Sequence, residues 1–302
     1  MRIALAEQRP SRVQALVEAF AAISIWASSF LFVKMGLAYM GPLFISGVRY
    51  LLAFLLLLPL LLADPSWRRL GRREWGYLIA IGLTAYALGS GMLYWGLKYL
   101  TATTSAFLSA LTPLPVLVVG ILWLREWPTR WQVTGVVVSL AGIWFFFGLE
   151  PLELSWLGIG LTALSIVGYT AFAILGRAVA REALVNTLVL TTIPLGIGGG
   201  VLTAAGLLFE PVPTINVTSL SIIAWLTIIN SAVAYFIYNH ALQTLTALEM
   251  NVMFNLITPM AAIMAVIWLG ESLNVWQVIG IVVTTVGVIM VQMRPAGHAR
   301  PG

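Results

Sequence analysis

The stretch Trp123-Leu124-Arg125-Glu126-Trp127-Pro128-Thr129-Arg130-Trp131-Gln132-Val133-Thr134-Gly135 is answered 145 residues later by Trp268-Leu269-Gly270-Glu271-Ser272-Leu273-Asn274-Val275-Trp276-Gln277-Val278-Ile279-Gly280. Two Trp, a Glu, a Gln and a Gly recur at one spacing, and Gly142 recurs as Gly287. Upstream, Leu100-Thr101-Ala102 aligns with Leu245-Thr246-Ala247 at the same offset and without a gap. Apolar bias produces chance matches among Leu, Val and Ala, but not a shared Trp, Glu and Gln. The chain carries two copies of one unit, a pattern that constrains the whole fold before any single element is assigned.

The medium of the fold follows from composition. Of 302 residues, 60% are hydrophobic and 9% charged, against about 25% charged in soluble domains. Mean hydropathy is +0.97. A helix needs roughly 20 apolar residues to cross a bilayer, and nearly every apolar stretch here is that long. We place spans at 13–34, 42–63, 74–98, 102–124, 131–148, 155–177, 184–208, 219–243, 247–269 and 275–292. The first run is not followed by a small-residue cleavage site, so it counts as a retained helix.

Basic residues orient these spans. With the N-terminus inside, cytoplasmic segments hold Arg2, Arg9, Arg12, Arg68, Arg69, Arg72, Arg73, Arg125, Arg130, Arg177, Arg181, Arg294 and Arg300. Lys34 and Lys98 fall at outer edges, with Glu150, Glu153, Glu210 and Glu271. Trp67, Trp75, Trp123, Trp127, Trp131, Trp156, Trp268 and Trp276 fall at span borders, as an interfacial belt would. The expected fold is an all-α membrane protein with ten transmembrane helices, N-in/C-in. A cytoplasmic tail (1–12) precedes the first repeat (13–148); the second (155–292) is followed by another tail (293–302).

The first spans of the copies match more weakly, with Ser24-Ile25 over Ser165-Ile166. Five helices per copy is an odd number, so the second copy enters the membrane upside down. Two inverted five-helix repeats around a central cavity are the architecture of secondary transporters.

Several stretches carry a resemblance to a known family. Trp26-Ala27-Ser28-Ser29-Phe30 in the first span, Arg49 in the second, the Leu100-Thr101-Ala102 entry to the fourth and Glu126 before the fifth resemble the EamA family of the drug/metabolite transporter superfamily. Within it, the chain is most similar to YddG-type exporters of aromatic and other amino acids. The resemblance implies export of amino acids across the bacterial inner membrane. The alternatives are another small metabolite or a drug-like cation, or a sugar-phosphate or nucleotide-sugar carrier.

Polar side chains inside a membrane are costly and are therefore site candidates. Gly82, Tyr86, Gly89, Ser90 and Tyr94 form one helical stripe in the third span. Thr227, Asn230, Ser231, Ala234, Tyr235, Tyr238 and Asn239 form another in the eighth, and the offset places Tyr86 on Ser231 and Ser90 on Tyr235. Asn251, Asn255 and Thr258 share a face of the ninth. Helix packing accounts for the small residues; the tyrosines and asparagines suit a cavity wall for an amino acid with an apolar side chain. Candidate substrate contacts are Trp26, drawn from the resemblance, with Tyr86, Ser90, Tyr94, Asn230, Tyr235, Tyr238, Asn239, Asn251 and Asn255.

Pro113, Pro115 and Pro259 are candidate helix kinks, and Arg49 is a gating or structural candidate. Breaks at Pro194 and Gly198-Gly199-Gly200 are assigned to packing. Glu18, Glu249, Lys34 and Arg49 are placed within reach of an interface by snorkelling, and His240 reads as an interfacial side chain. No carboxylate lies near the midplane, so a carboxylate relay for a coupling ion is not expected.

Other classes lack their residues. The chain has no Cys and two His, which leaves no thiolate metal site or His-rich enzyme centre. Phosphorylated cargo calls for several buried Lys or Arg, and the interior supplies few. We expect no catalytic residues, metal or cofactor. The expected partners are amino acids and the lipid bilayer, with no nucleic acid and a monomeric chain.

Overall fold

With apolar side chains along each span and no water in a bilayer core, a segment can satisfy its amides only within itself, as helix. In the computed structural model, the described residues are 9–96, 98–100, 105, 108–147, 155–257, 259–260, 263 and 273–293. They form helices α1 (Arg12–Gly36), α2 (Pro42–Ala63), α3 (Arg72–Gly96), α4 (Pro113–Leu124) and α5 (Arg130–Phe147). The later helices are α6 (Trp156–Glu182), α7 (Thr187–Phe209), α8 (Val217–Ala241), α9 (Ala247–Phe254) and α10 (Val275–Gln292). Among the described residues, α2, α3, α6, α7, α8 and α10 are long and apolar enough to cross a membrane, and α4 and α5 are shorter apolar helices. Leu55, Leu56 and Leu60 of α2 are exposed, as a lipid-facing stripe would be. Trp123, Trp127, Trp131 and Trp156 are exposed as well.

The recurring Gln has a local cause. Thr129 N–H donates to Gln132 Oε1 at 2.8 Å while Gln132 N–H donates to Thr129 Oγ1 at 3.2 Å. Asn274 and Gln277 form the same reciprocal pair before α10, at 2.9 Å in both directions. These boxes satisfy amides that a helix start leaves unpaired. Trp268, Leu269 and Glu271, the other repeated positions, lie outside the described residues, as do Thr101, Ala102 and Thr258.

α5 and α10 run antiparallel with their backbones nearly touching. A Cβ on Gly142 would lie 2.3 Å from Thr284 N, and one on Gly287 would lie 2.3 Å from Ser139 N. Both members of the first contact map onto the second at the 145-residue offset, so the crossing is reciprocal. α2 and α7 are also antiparallel: Gly47 abuts Thr203 and Gly206 abuts Phe44. Their ends are tied by Glu210, which accepts from Leu43 N–H and Phe44 N–H at 2.9 and 2.8 Å. At the other end Asp64 accepts from Asn186 Nδ2, the residue that caps α7.

Four sequence expectations change. α7 is unbroken through Pro194 and Gly198–Gly200; Gly198 and Gly199 seat against Tyr86 and Leu51, whereas nothing lies within 4 Å of a Cβ on Gly200. α6 continues to Glu182, beyond the expected end at 177, and stops where Ala183 turns left-handed at φ 50°. The expected span 102–124 is interrupted by a turn at Ala110–Thr112. Leu111 N–H bonds Leu108 O at 3.1 Å and Thr112 N–H bonds Ser109 O at 3.0 Å, before Pro113, which brings no N–H to an α-helical ladder. In the expected span 247–269, a turn follows α9 at Asn255–Leu256, the positions equivalent to 110–111.

The helices bearing the two polar stripes depart from α geometry at matching places. α3 is a π-helix over Gly82–Gly91 and α8 over Ile228–Val233; the offset carries the second onto 83–88. Ser231 Oγ donates to Leu226 O, five residues back, at 2.8 Å. A wider turn changes which residues share a face.

Candidate functional site

The two interrupted helices, with α3 and α8 just beyond their π segments, converge on a cavity of about 160 Å³. Its wall is aromatic: Trp26 from α1, Tyr50 from α2, Tyr94 from α3, Tyr169 and Phe172 from α6, Tyr235 and Tyr238 from α8, and Phe254 from α9. Trp26 stacks on Phe254 at 5.2 Å and meets Tyr235 edge-on at 4.9 Å. Ser105, Ser109, Thr112 and Pro113 line it from the α4 side, with Asn251 inside α9 and Asn255 at the break that follows it. Asn251 Nδ2 donates to Ala247 O at 3.1 Å and Asn255 Nδ2 to Ser139 Oγ at 3.0 Å.

One polar chain crosses this wall. Arg49 Nη2 donates to the hydroxyls of Tyr50 and, at 3.2 Å, Tyr94. Tyr50 Oη lies 2.9 Å from Ser90 Oγ and 3.4 Å from Tyr235 Oη, and Ser90 Oγ lies 3.1 Å from Tyr169 Oη. The chain joins α2, α3, α6 and α8. Arg49 is buried, 4% exposed, so it does not snorkel.

Of the residues singled out from sequence, Trp26, Arg49, Tyr94, Pro113, Tyr235, Tyr238, Asn251 and Asn255 line the cavity. Tyr86, Ser90, Asn230 and Asn239 stand behind the wall. Tyr86 is wedged between Tyr50 and Tyr235, at 4.5 and 5.1 Å between ring centres. Asn230 Nδ2 donates to Ile25 O at 2.6 Å, and Trp26 Nε1 donates to Asn230 O at 2.9 Å. Asn239 Nδ2 bonds Thr191 Oγ1 of α7 at 3.1 Å. The stripes assumed a period of 3.6 residues, and the π turns displace it. Pro115 and Pro259 flank the breaks without lining the cavity. Tyr50, Tyr169, Phe172 and Phe254 were not singled out; a phenol directly beside the deepest charge was the available signal for Tyr50.

The arginine-rich end is sealed by ion pairs. Arg177 Nε meets Glu126 Oε1 at 2.9 Å, and Arg177 Nη1 donates to Leu242 O at 2.7 Å. Arg12 meets Glu249 at 2.7 Å, Arg73 meets Glu182 at 2.8 Å, and His240 Nδ1 meets Glu18 Oε2 at 2.8 Å. Glu249 is buried and also closes the capping box of α9 with Thr246. It is therefore a fixed structural carboxylate and not a snorkelling one, and His240 is one half of a pair. Each of these pairs joins a residue before 148 to one after 155. Lys34's side chain lies outside the described ones.

The family model described as the EamA-like transporter family matches residues 14–148 and 156–293. The chain belongs to that family. It is 28% identical over 276 residues to an uncharacterized transporter of Archaeoglobus fulgidus, covering 88% of this chain and 93% of the relative. It is 26% identical over 261 residues to an S-adenosylmethionine/S-adenosylhomocysteine transporter of Chlamydia trachomatis, covering 82% and 80% of the two chains. A crystal structure with 18% sequence identity superposes with a TM-score of 0.79 over 93% of this chain and 96% of its own, and shows the same fold. The protein is accordingly a multi-pass membrane transporter of small molecules, and not an enzyme.

Proposed function

We propose that the chain is a secondary transporter that exports amino acids, aromatic ones among them, across the bacterial inner membrane by alternating access. Its ten helices form two inverted five-helix repeats, 13–148 and 155–292, with both termini in the cytoplasm. The observation that carries this reading is the cavity itself. Rings from α1, α2, α3, α6, α8 and α9 surround it, and two carboxamides sit on its wall, one of them at a helix break. Rings hold an apolar side chain, and hydroxyl and amide groups hold the polar end. The reciprocal α5–α10 crossing and the matching helix breaks support an inverted two-fold relation, in which rocking of one half against the other exposes the cavity to each side in turn. Trp26, Tyr94, Tyr235, Tyr238, Asn251 and Asn255 are the proposed contacts, with Tyr50 added from the geometry.

The test is counterflow in proteoliposomes containing the purified chain. Preloaded unlabelled phenylalanine should drive uptake of labelled phenylalanine above that of empty vesicles, with threonine slower. An S-adenosyl compound, the cargo named for the chlamydial relative, is the second reading, since it joins an amino-acid group to a ring able to stack on these aromatics. Exchange of S-adenosylmethionine with no exchange of phenylalanine or threonine would replace the first reading by the second.

A further inference from the structure

Among the described residues, Arg49 is the one formally charged side chain on the cavity wall, and none of them gives it a counter-ion. Every described ion pair involves other residues, and all of them gather at the arginine-rich end. Among the described residues only Nη2 has partners, the neutral hydroxyls of Tyr50 and Tyr94. Nε and Nη1 are buried and donate to nothing among the described residues. The ring centres of Tyr50 and Tyr94 lie 4.5 and 5.6 Å from Cζ, which steadies the cation without neutralising it. A buried guanidinium left in this condition is costly, and buried charges are retained where something pairs with them.

We propose that Arg49 is the anion-binding residue of the cavity and that the transported solute brings the missing counter-ion, a carboxylate. Its assignment thus moves from gating to ligand contact. One guanidinium, with no second Lys or Arg among the described wall residues, matches a monoanion and leaves half the charge of a phosphate dianion unmet. Guanidinium and carboxylate pair through charge-assisted hydrogen bonds that an amide cannot replace. The Tyr50 and Tyr94 hydroxyls hold the guanidinium at the wall, and the rings around it face the rest of the solute. Cations without a carboxyl group are therefore poor cargo. The inference rests on the cavity being the solute site and deepens the reading above by naming the group that the site selects.

The test compares ligands that differ at the carboxylate. In proteoliposomes, unlabelled 3-phenylpropionate should compete with labelled phenylalanine, while phenylalaninamide and phenethylamine should be at least tenfold weaker. Arg49→Gln should weaken phenylalanine at least tenfold and leave phenylalaninamide within about threefold, and Arg49→Lys should restore part of the preference. An unchanged ratio of phenylalanine to phenylalaninamide in folded Arg49→Gln overturns the proposal. If that variant does not fold, the wild-type panel decides: an amide that competes as well as the acid overturns it. Failure of the amino-acid reading is separable. Wild-type protein stabilised against heat by benzoate and not by benzamide, with no amino-acid flux, keeps the role of Arg49 and discards amino-acid export. If no carboxylate binds to the wild type, both fall.

Discussion

Tyr86 and Tyr235 lie within one aromatic cluster, yet they occupy different environments and should fail differently. Tyr86 is fully enclosed between Tyr50 and Tyr235 and does not reach the cavity. Truncating a fully buried aromatic costs about 3–5 kcal/mol, so Tyr86→Ala should lower the melting temperature sharply. Tyr235 faces the cavity. An aromatic contact adds about 0.5–1.5 kcal/mol beyond buried area, so Tyr235→Ala should reduce phenylalanine flux relative to threonine by roughly two- to tenfold. Flux ratios normalised to folded protein check this; an unchanged ratio removes Tyr235 from the site. Asp64, outside the spans, supplies a pH test. Burial pushes its carboxyl upward, but bonds from the Ser66 amide, Asn186 and the Ser66 hydroxyl prevail and hold it below the ordinary carboxylate value of 3.8. A lowered folded value stabilises the native state above the unfolded value and loses that contribution as pH falls through the folded one. Asp64→Asn should thus melt below wild type at neutral pH, with the gap closing in acid below the usual carboxylate range.

Among the helices, the α5–α10 crossing leaves no room for added volume. A Cβ on Gly287 would lie 2.3 Å from Ser139 N and 2.7 Å from Gly135 O. Both are backbone atoms, so the helices must separate. Overpacking costs about 1–3 kcal/mol, and Gly287→Ala should show it as a lower melting temperature. Gly200 on α7 has nothing within 4 Å of a Cβ. There the helix propensity of Ala is worth about 0.5–1 kcal/mol over Gly, so Gly200→Ala should melt at or above wild type. Equal losses in both variants would show that helix conformation, and not the close crossing, sets the effect.

Across the whole molecule, ion pairs bind the two halves at the arginine-rich end while the cavity lies between them. Glu126 receives Arg177 at 2.9 Å and is 3.9 Å from Arg181. Glu126→Gln removes the partner of two cations, so the equilibrium should move towards the state open at that end. A cysteine placed at Phe254, on the cavity wall, should then be labelled faster from that side than in the Glu126-containing background. The same chemistry tests topology, because the chain has no native cysteine. Cysteine at exposed Arg69 should react only from the cytoplasm, and at exposed Val212, in the α7–α8 connection, only from the periplasm. The reverse pattern would invert the proposed orientation.

Composition, hydropathy and the 145-residue self-match determined what needs no knowledge of neighbours: a membrane medium, the places where most helices begin and end, and two copies of one unit. Span 42–63 coincides with α2 and span 275–292 with α10, because Gly41-Pro42 and Asn274 are local start signals that any environment would read alike. Of the cavity wall, Tyr94, Tyr235, Tyr238, Asn251 and Asn255 were legible as polar or aromatic side chains inside apolar spans, and Trp26 through the family resemblance. The π turns of α3 and α8, which withdrew Tyr86 from the wall, were not legible. Neither was the turn at Ala110–Thr112, nor Arg49 left with donors unpaired. A lone apolar helix keeps a period of 3.6 residues, and only packing against α6, α7 and the opposite half repays the wider turn. Whether a buried arginine has a counter-ion depends on which carboxylates the other helices bring within reach. That depends on side-chain placement across the bundle, which the tertiary structure alone decides.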